Sequence, residues 1–401
     1  VVFIVSNNST LILNTSLEGM NGEMILQTDN MRGFSGAYRC SDVTFLLSLV
    51  EMDMTPVAEK EVLIQSGKKH YSEMLSEEPA PTALHLELFS QSLQDAGPRL
   101  AQEVEYLAQQ LHHYCTSEPI ILISLVRAGV PLGVMLQRAL QDIGHVSYHY
   151  GISIIRDRGI DEVALSEIEA RHGMKGLFFV DGWTGKGAIS QQLANSLAMR
   201  QGYSERPHLV VLADPSGTAW LSATKEDWLI PFGIMGAPVS GMISRSIWQT
   251  DGYHGCVYCQ HLDDFDCSQS FVDQVDQLRR AFTLNKKRQV PKEFESMAMP
   301  FDDSAFFDVN KQQQRFAKTT EIIERVAARY QIEQINRIKP GIAEATRAIL
   351  RRVPEVVLVR TKDDPDTALL RYLAKTKGIS ITEVGDFIGH YRALTIIKKV
   401  L

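Results

Sequence analysis

Apolar and polar positions along this chain fall into blocks whose period changes several times. From Gly97 onward, Leu100, Val104, Leu107 and Leu111 recur at spacings of four, three and four. That spacing gathers them on one helical face. Pro98 then sits where a first-turn proline is tolerated, so the pattern predicts a helix beginning at Gly97. Residues 33–93, upstream, mix short helical patterns with Gly/Ser loops. The apolar run IILISLV after Pro119 reads as a buried strand, RAGVPLG as a turn, and VMLQRAL as the start of another helix. HVSYHYGISII and GLFFVDG read as strands, AISQQLANSLAMRQG as a helix closed by Gly202, and HLVVLADPSG as a strand ending in a polar turn. Strands alternating with helices predict an α/β fold with a doubly wound, mostly parallel sheet. In such sheets ligands lie beyond the carboxyl ends of the strands. LVRAG, FVDGWTGKG and LADPSG all fall at that edge.

Residues 284–318 show little periodicity and many charges, which suits a linker. Beyond them a smaller α/β pattern begins: EIIERVAARY helical, KPGIAEATRAILRR helical with Pro340 near its start, VPEVVLVR a strand, TALLRYLAKTKG a helix, and ISITEV and RALTIIKKV strands. The expected organisation is an N-terminal extension over 1–32, a main domain over 33–283, the linker, and a C-terminal domain over 319–401.

Composition changes this picture in two places. The chain has 401 residues, is 44% hydrophobic and 22% charged, and carries a net charge of -7, as an ordinary globular protein does. The charge is unevenly spread. From Lys311 onward there are 18 Lys+Arg against 10 Asp+Glu, so a basic C-terminal part follows an acidic body. That asymmetry suggests a polyanionic partner such as RNA, with a solvated helical surface as the plainer reading. Cys40, Cys115, Cys256, Cys259 and Cys267 are too few and too unevenly spaced for a disulfide scaffold, and a reducing cytoplasm is expected. No apolar run reaches the ~20 residues that cross a bilayer. The opening VVFIVSNNSTLILNTSLEGM lacks the cationic start of a signal peptide.

FVDGWTGKG concentrates the chemistry. A Walker A loop needs four residues between its first glycine and its Gly-Lys pair; here only two separate Gly182 from Gly185-Lys186. The P-loop reading fails on spacing, and so does G-x-G-x-x-G. A strand ending in an acid and passing through a Thr/Gly bend into a helix suits a sugar phosphate instead. Backbone N–H groups at a helix N-terminus take the dianion, with Thr184, Gly185, Lys186 and Gly187 around it, and Asp181 faces the sugar. Arg127, Ala128 and Gly129 form a second turn suited to a pyrophosphate. Arg156 and Arg158 flank Asp157 in a polar loop that could close over an anion. HGCVYCQH places Cys256 and Cys259 in C-x-x-C spacing between His254 and His261. A zinc knuckle needs a second such pair, and buried thiols in strand packing are the alternative. Ser240, Ser244 and Arg245 in APVSGMISRSIW could line an acceptor pocket.

The three polar segments together resemble a type I phosphoribosyltransferase, and LVRAGVPLG resembles the turn of uracil phosphoribosyltransferases. The resemblance implies phosphoribosyl pyrophosphate (PRPP) with Mg²⁺ as ligand. Asp181, Arg156 and Arg158 would serve in catalysis, and Arg127, Ala128, Gly129 and Thr184 to Gly187 in PRPP binding. Gly182 stands where the family signature has a second acid. GFSGAYRCSDVTFLL, HYSEMLSEE, SIIRDRGIDEVAL, KEDWLIP and PVSGMISRSI extend the resemblance to the StiP family. Its members carry a phosphoribosyltransferase-like domain and occur with tellurium-resistance and stress operons. The segment from Lys339 to Val384 is similar to Pelota/L7Ae-type RNA-binding domains, which implies an RNA partner. The expected activity is transfer of phosphoribose to a base or nucleotide-like acceptor. A non-catalytic PRPP- or nucleotide-sensing regulator is one alternative. A cysteine protease, as the family is often labelled, is another, with Cys40 the best-placed thiol. A homodimer is left open.

Overall fold

A computed structural model describes residues 5–6, 9–10, 33–116, 118–288 and 309–400. Val1–Arg32 is a unit of its own, in which Val5–Ser6 pairs antiparallel with Ser9–Thr10. The remainder of the expected N-terminal extension lies outside the described residues. Gly33–Leu401 is the second compact unit.

The central sheet of that unit has six strands: β1 (Thr44–Phe45), β2 (Ile120–Leu125), β3 (Ser147–Ile152), β4 (Leu177–Trp183), β5 (Leu209–Ala213) and β6 (Leu221–Thr224). Their order is β6-β5-β4-β2-β3-β1, and every neighbouring pair is parallel. All six residues of β2 are buried. An unbroken apolar run is what a parallel strand covered on both faces requires. Helices α3 (Gly129–Asp142), α4 (Glu162–His172) and α5 (Ala188–Leu197) make the crossovers. The chain leaves β2 through α3 toward β3, then returns past β2 to form β4, and leaves β4 through α5 toward β5. Adjacent strands β2 and β4 therefore send the chain to opposite sides, which opens a crevice at their carboxyl ends.

Three elements differ from the sequence expectation. Before the sheet come α1 (Val57–Gln65) and α2 (Ala83–Tyr114), and α2 begins well upstream of Gly97, capped by Thr82 accepting from the His85 amide at 3.2 Å. Pro98 is inside this helix, not in its first turn. Buried Phe89 and Leu93 continue the apolar face through Gly97, where an added Cβ would meet Leu278 at 3.0 Å. Tertiary packing carries the helix through the proline. Helix α3 starts at Gly129, so Pro131 falls in its first turn, where no amide donor is missed. The segment 284–318 is helical at both ends, because α6 runs Ser268–Arg288 and α7 Val309–Arg329. Its middle lies outside the described residues.

The C-terminal part adds β7 (Ile338–Pro340), α8 (Ile342–Arg351), β8 (Pro354–Val359), α9 (Ala368–Thr376), β9 (Ser380–Glu383) and β10 (Ala393–Ile397). The sheet order is β7-β10-β8-β9, antiparallel except for β8 with β9. Pro340 ends an edge strand rather than opening a helix, a place where the missing donor costs nothing. One hydrophobic core runs from the large sheet into this part: Phe232 and Ile234 share it with Ile342, Ala345, Ile349 and Leu369. The two parts are packed together, not tethered.

Candidate functional site

The crevice between β2 and β4 holds a cavity of about 350 Å³. The turn after β2 and the bend after β4 form its floor, and β7 and α8 of the C-terminal part form its roof. Nine Lys and Arg line it against four acids: Lys60, Arg127, Arg156, Lys186, Arg245, Lys339, Arg347, Arg351 and Arg352 against Glu77, Glu78, Asp181 and Glu344. Cations crowded in a partly dry space depress one another. Burial, with neighbouring Arg245, Arg352 and Arg351, brings the Lys60 ammonium down to about 7. Burial likewise brings Lys339 to about 8 and Arg347 to about 10. A space with this field favours an anionic occupant.

The bend after β4 is open to the cavity. Gly185, Lys186, Gly187 and Ala188 all line it, and the N–H groups of Gly185, Lys186 and Gly187 donate to no described residue. Gly187 precedes α5 with φ +83° in the left-handed region, which suits glycine. Asp181, half-buried at the end of β4, accepts from the Gly182 amide at 2.8 Å. Burial pushes its carboxyl up to about 7, against the pull of that amide and of Arg347.

Several residues chosen from the sequence do something other than expected. The Thr184 hydroxyl donates to Asp214 at 2.6 Å, and its own amide to Ala213 at 3.0 Å. Asp214 also accepts from the amides of Gly217, Thr218 and Ala219, so Thr184 ties two strand-end loops together. The Lys186 ammonium donates to the carbonyls of Ile335 at 2.6 Å and Ile338 at 2.9 Å, and Tyr391 donates to the Gly185 carbonyl at 2.7 Å. The C-terminal part thus grips the bend from above. Gly129 is outside the cavity; an added Cβ would lie 2.0 Å from the Val180 carbonyl oxygen, so it serves the packing of α3 on β4. Arg158 pairs with Glu73 and lies over Trp248, away from the cavity.

Arg127 and Ala128 do line the cavity. The Arg127 guanidinium donates to the Ile243 carbonyl at 2.8 Å and pairs with Glu78, while its buried Nε has no partner. Burial would raise Glu78, yet Arg127 and Arg351 hold it at about 2. Arg156 lines the cavity with its guanidinium 5.3 Å from the Tyr71 ring. A second acid at Gly182 would be tight: its Cβ would approach the Ala128 carbonyl oxygen and the Phe232 ring, each at 3.0 Å, so both must give by a few tenths of an ångström. Sequence reasoning missed Lys60, Glu78, Trp183, Lys339, Glu344, Arg347 and Arg351. Only Lys339, Arg347 and Arg351 carried a signal, the basic content of KPGIAEATRAILRR; the others carried none.

Cys259 and His261 also reach the cavity, but they are not paired. His261 Nε2 meets the Glu78 carbonyl at 2.9 Å, and burial pushes the Cys259 thiol up to about 11. Cys256 is in the core, its thiol pushed up to about 12. His254 Nδ1 meets Ser153 at 2.6 Å. Among the described residues no His, Cys, Asp or Glu cluster is arranged to hold a metal ion. Asp181 alone would suit Mg²⁺ only where a bound ligand's phosphates and water supplied its other contacts. Cys40 is exposed beside Arg39, which pairs with Asp273 at 3.1 Å.

Residues 36–276 match the family described as tellurite-like stress resistance cysteine protease StiP. The chain belongs to the StiP family. A relative named Cysteine protease StiP, from Acinetobacter baylyi, is 49% identical over 392 residues, covering 94% of this chain and 97% of its own. Residues 317–399 match the PELOTA RNA binding domain. Among solved structures, hypoxanthine phosphoribosyltransferase of Trypanosoma cruzi with the product IMP aligns at a TM-score of 0.23 and 16% identity, over 31% of this chain and 70% of that one. A 1.4 Å structure of the same enzyme aligns at 0.24 and 14%, over 40% and 87%. At such scores these alignments carry no weight for fold or activity. The family is thus joined here to a mostly parallel α/β sheet whose strand-end crevice is roofed by the PELOTA part. Among the described residues no helix is long and apolar enough to cross a membrane.

Proposed function

We propose that this cavity binds PRPP and that the protein transfers its phosphoribosyl group to an acceptor. The observation that carries the reading is the bend after β4: three unpaired backbone N–H groups at the start of α5, with Asp181 beside them, at the crevice of a doubly wound sheet. The 5-phosphate dianion would sit on the amides of Gly185, Lys186 and Gly187. Asp181 would accept from the ribose hydroxyls and stabilise the positive charge that develops on the ring. Arg127, Ala128 and Arg156 would face the pyrophosphate. The bond from C1 to the pyrophosphate oxygen breaks, the oxygen keeps the electron pair, and the acceptor forms the new bond to C1. Mg²⁺ carried by the ligand would neutralise the leaving pyrophosphate. Thr184 positions the bend through Asp214, and the Lys186 ammonium holds the roof rather than the phosphate. Pyrophosphate release from PRPP and Mg²⁺, screened across base and nucleotide acceptors, tests the reading. Release that is lost in Asp181→Asn supports it; full release by that variant overturns it.

A second reading is favoured by the crowding at Gly182 and by the grip of the C-terminal part on the bend. In it the protein binds PRPP or a nucleotide without turnover and passes the bound state to an RNA-binding surface. Tight PRPP binding without pyrophosphate release, for any acceptor, would select it. The relative's name suggests a protease. That reading needs a thiolate beside a histidine, whereas Cys40 is exposed outside the cavity ahead of β1 rather than at a helix start, burial keeps the cavity thiol of Cys259 protonated, and His261 is turned to a backbone carbonyl. Peptide cleavage blocked by a thiol-directed reagent would restore it.

A further inference from the structure

The bend after β4 accounts for only part of the cavity's charge. Lys60 comes from α1, well away in sequence from every segment of that bend, and lines the same space while only 5% exposed. Its ammonium makes no hydrogen bond or ion pair with any described residue. Arg245 lines the cavity beside it, donating from one end of its guanidinium to the carbonyls of Tyr71 and Met74 and leaving a buried NH1 unpaired. The Tyr71 ring has the Arg245 guanidinium 5.2 Å from its centroid and that of Arg156 at 5.3 Å. Arg351 reaches in from α8, with Glu78 at 3.9 Å as its carboxylate neighbour. Arg352, also near, is already spent on Glu61 in two hydrogen bonds of 2.6 and 2.7 Å. Lys60 thus lies in the field of Arg245, Arg351, Arg352 and Glu61, whereas Lys186 lies in that of Lys339, Glu344 and Arg156. The first of these two cationic neighbourhoods borders the pyrophosphate turn, because Arg127 and Arg351 share Glu78.

We propose that Lys60, Arg245 and Arg351 form a second anion-binding subsite, and that the acceptor carries a phosphate of its own which docks there. An unpartnered ammonium on a lysine only 5% exposed, an unpaired buried guanidinium nitrogen and a third guanidinium facing one space are unfavourable when empty and are satisfied by a phosphate. A neutral base offers them nothing. The subsite stands on its own residues; only the word acceptor rests on the reading of the β4 bend.

The test is calorimetric titration of the full chain with two probes, ribose 5-phosphate for the bend and inorganic phosphate for the second subsite. Inorganic phosphate added after saturation with ribose 5-phosphate is expected to bind once more and to be retained in Arg156→Gln; loss of it in that variant would place the anion in the pyrophosphate turn and overturn the subsite. In Lys60→Met that second binding weakens at least tenfold while ribose 5-phosphate affinity stays within twofold; Lys60→Arg retains most of it. Phosphate binding to the wild type at pH 8 takes up a proton, read by repeating the titration in buffers of different ionisation heat, because the anion restores the Lys60 ammonium; in Lys60→Met the uptake falls to what Lys339 contributes. Second-site binding unaffected by Lys60→Met, or both probes weakened equally by it, overturns the subsite. Loss of ribose 5-phosphate binding in no bend variant, Asp181→Asn included, overturns the function proposed above and leaves the subsite standing.

Discussion

Asp181 shows how much one side chain's surroundings decide. A carboxyl at the end of a strand ordinarily titrates near 3.9, but burial in the crevice raises this one to about 7. The fold therefore binds that proton more tightly than the unfolded chain does. The stability this gives is fully present below about pH 4 and is lost as pH rises through about 7. Asp181→Asn, which stays neutral, is expected to gain on the wild type in denaturant midpoint between pH 4 and pH 8. On the function proposed above PRPP with Mg²⁺ uses the ionised form, so wild-type affinity relative to Asp181→Asn should rise with pH through about 7, while both proteins lose affinity as Lys60 and Lys339 give up their charge. Gly182 makes the complementary point. Gly182→Asp, which writes the second acid of the phosphoribosyltransferase signature into the chain, is expected to cost about 1–3 kcal/mol by forcing Ala128 and Phe232 apart. Urea unfolding measures the loss, and no gain in pyrophosphate release should accompany it.

Among elements, the bend after β4 and the strand β7 above it depend on each other. Lys186 gives its ammonium to two carbonyls at the start of β7, Ile335 just before it and Ile338 its first residue, and Tyr391 closes the contact from the segment leading into β10. Burial lowers the Lys186 ammonium well below its usual range, so part of what the hydrogen bonds contribute is offset by desolvation. Lys186→Met should lower stability by only about 1 kcal/mol, while amide exchange in Ile338–Pro340 accelerates much more than elsewhere. Strands β2 to β5 and β8 to β10, and the helices α5, α8 and α9, were legible from periodicity alone. The starts of α2 and α7 and the strands β1, β6 and β7 were not. Pro98 and Pro340 each look like local boundary markers, and each is overruled by partners distant in sequence: Leu278 across from Gly97, and β10 beside β7.

At the scale of the whole molecule, the basic charge of the C-terminal part divides between two uses. Lys339, Arg347, Arg351 and Arg352 face the cavity, while Lys362, Lys375, Lys377 and Lys398 stay exposed. RNA binding by the full chain is expected to use the exposed group and to weaken roughly tenfold to a hundredfold between 50 and 200 mM salt, as three or four phosphate contacts imply. A filter-binding or anisotropy titration at several salt concentrations checks it. Because one core spans both parts and α8 roofs the cavity, the two sites should be coupled. Whatever factor PRPP imposes on RNA affinity, RNA must impose on PRPP affinity.

Most strands and helices in their order, the parallel α/β class, the polar turns at the carboxyl ends and the excess of basic residues after Lys311 follow from the sequence alone. Each is set by local periodicity or by composition, which a linear reading captures. What the tertiary structure decided is the roof. That α8 would turn Arg347 and Arg351 into a crevice formed by β2 and β4, that Thr184 and Lys186 would hold the bend instead of a ligand, and that Phe232 would fill the space beside Gly182 depend on packing between segments far apart in the chain. No spacing within one segment encodes which distant surface it will meet.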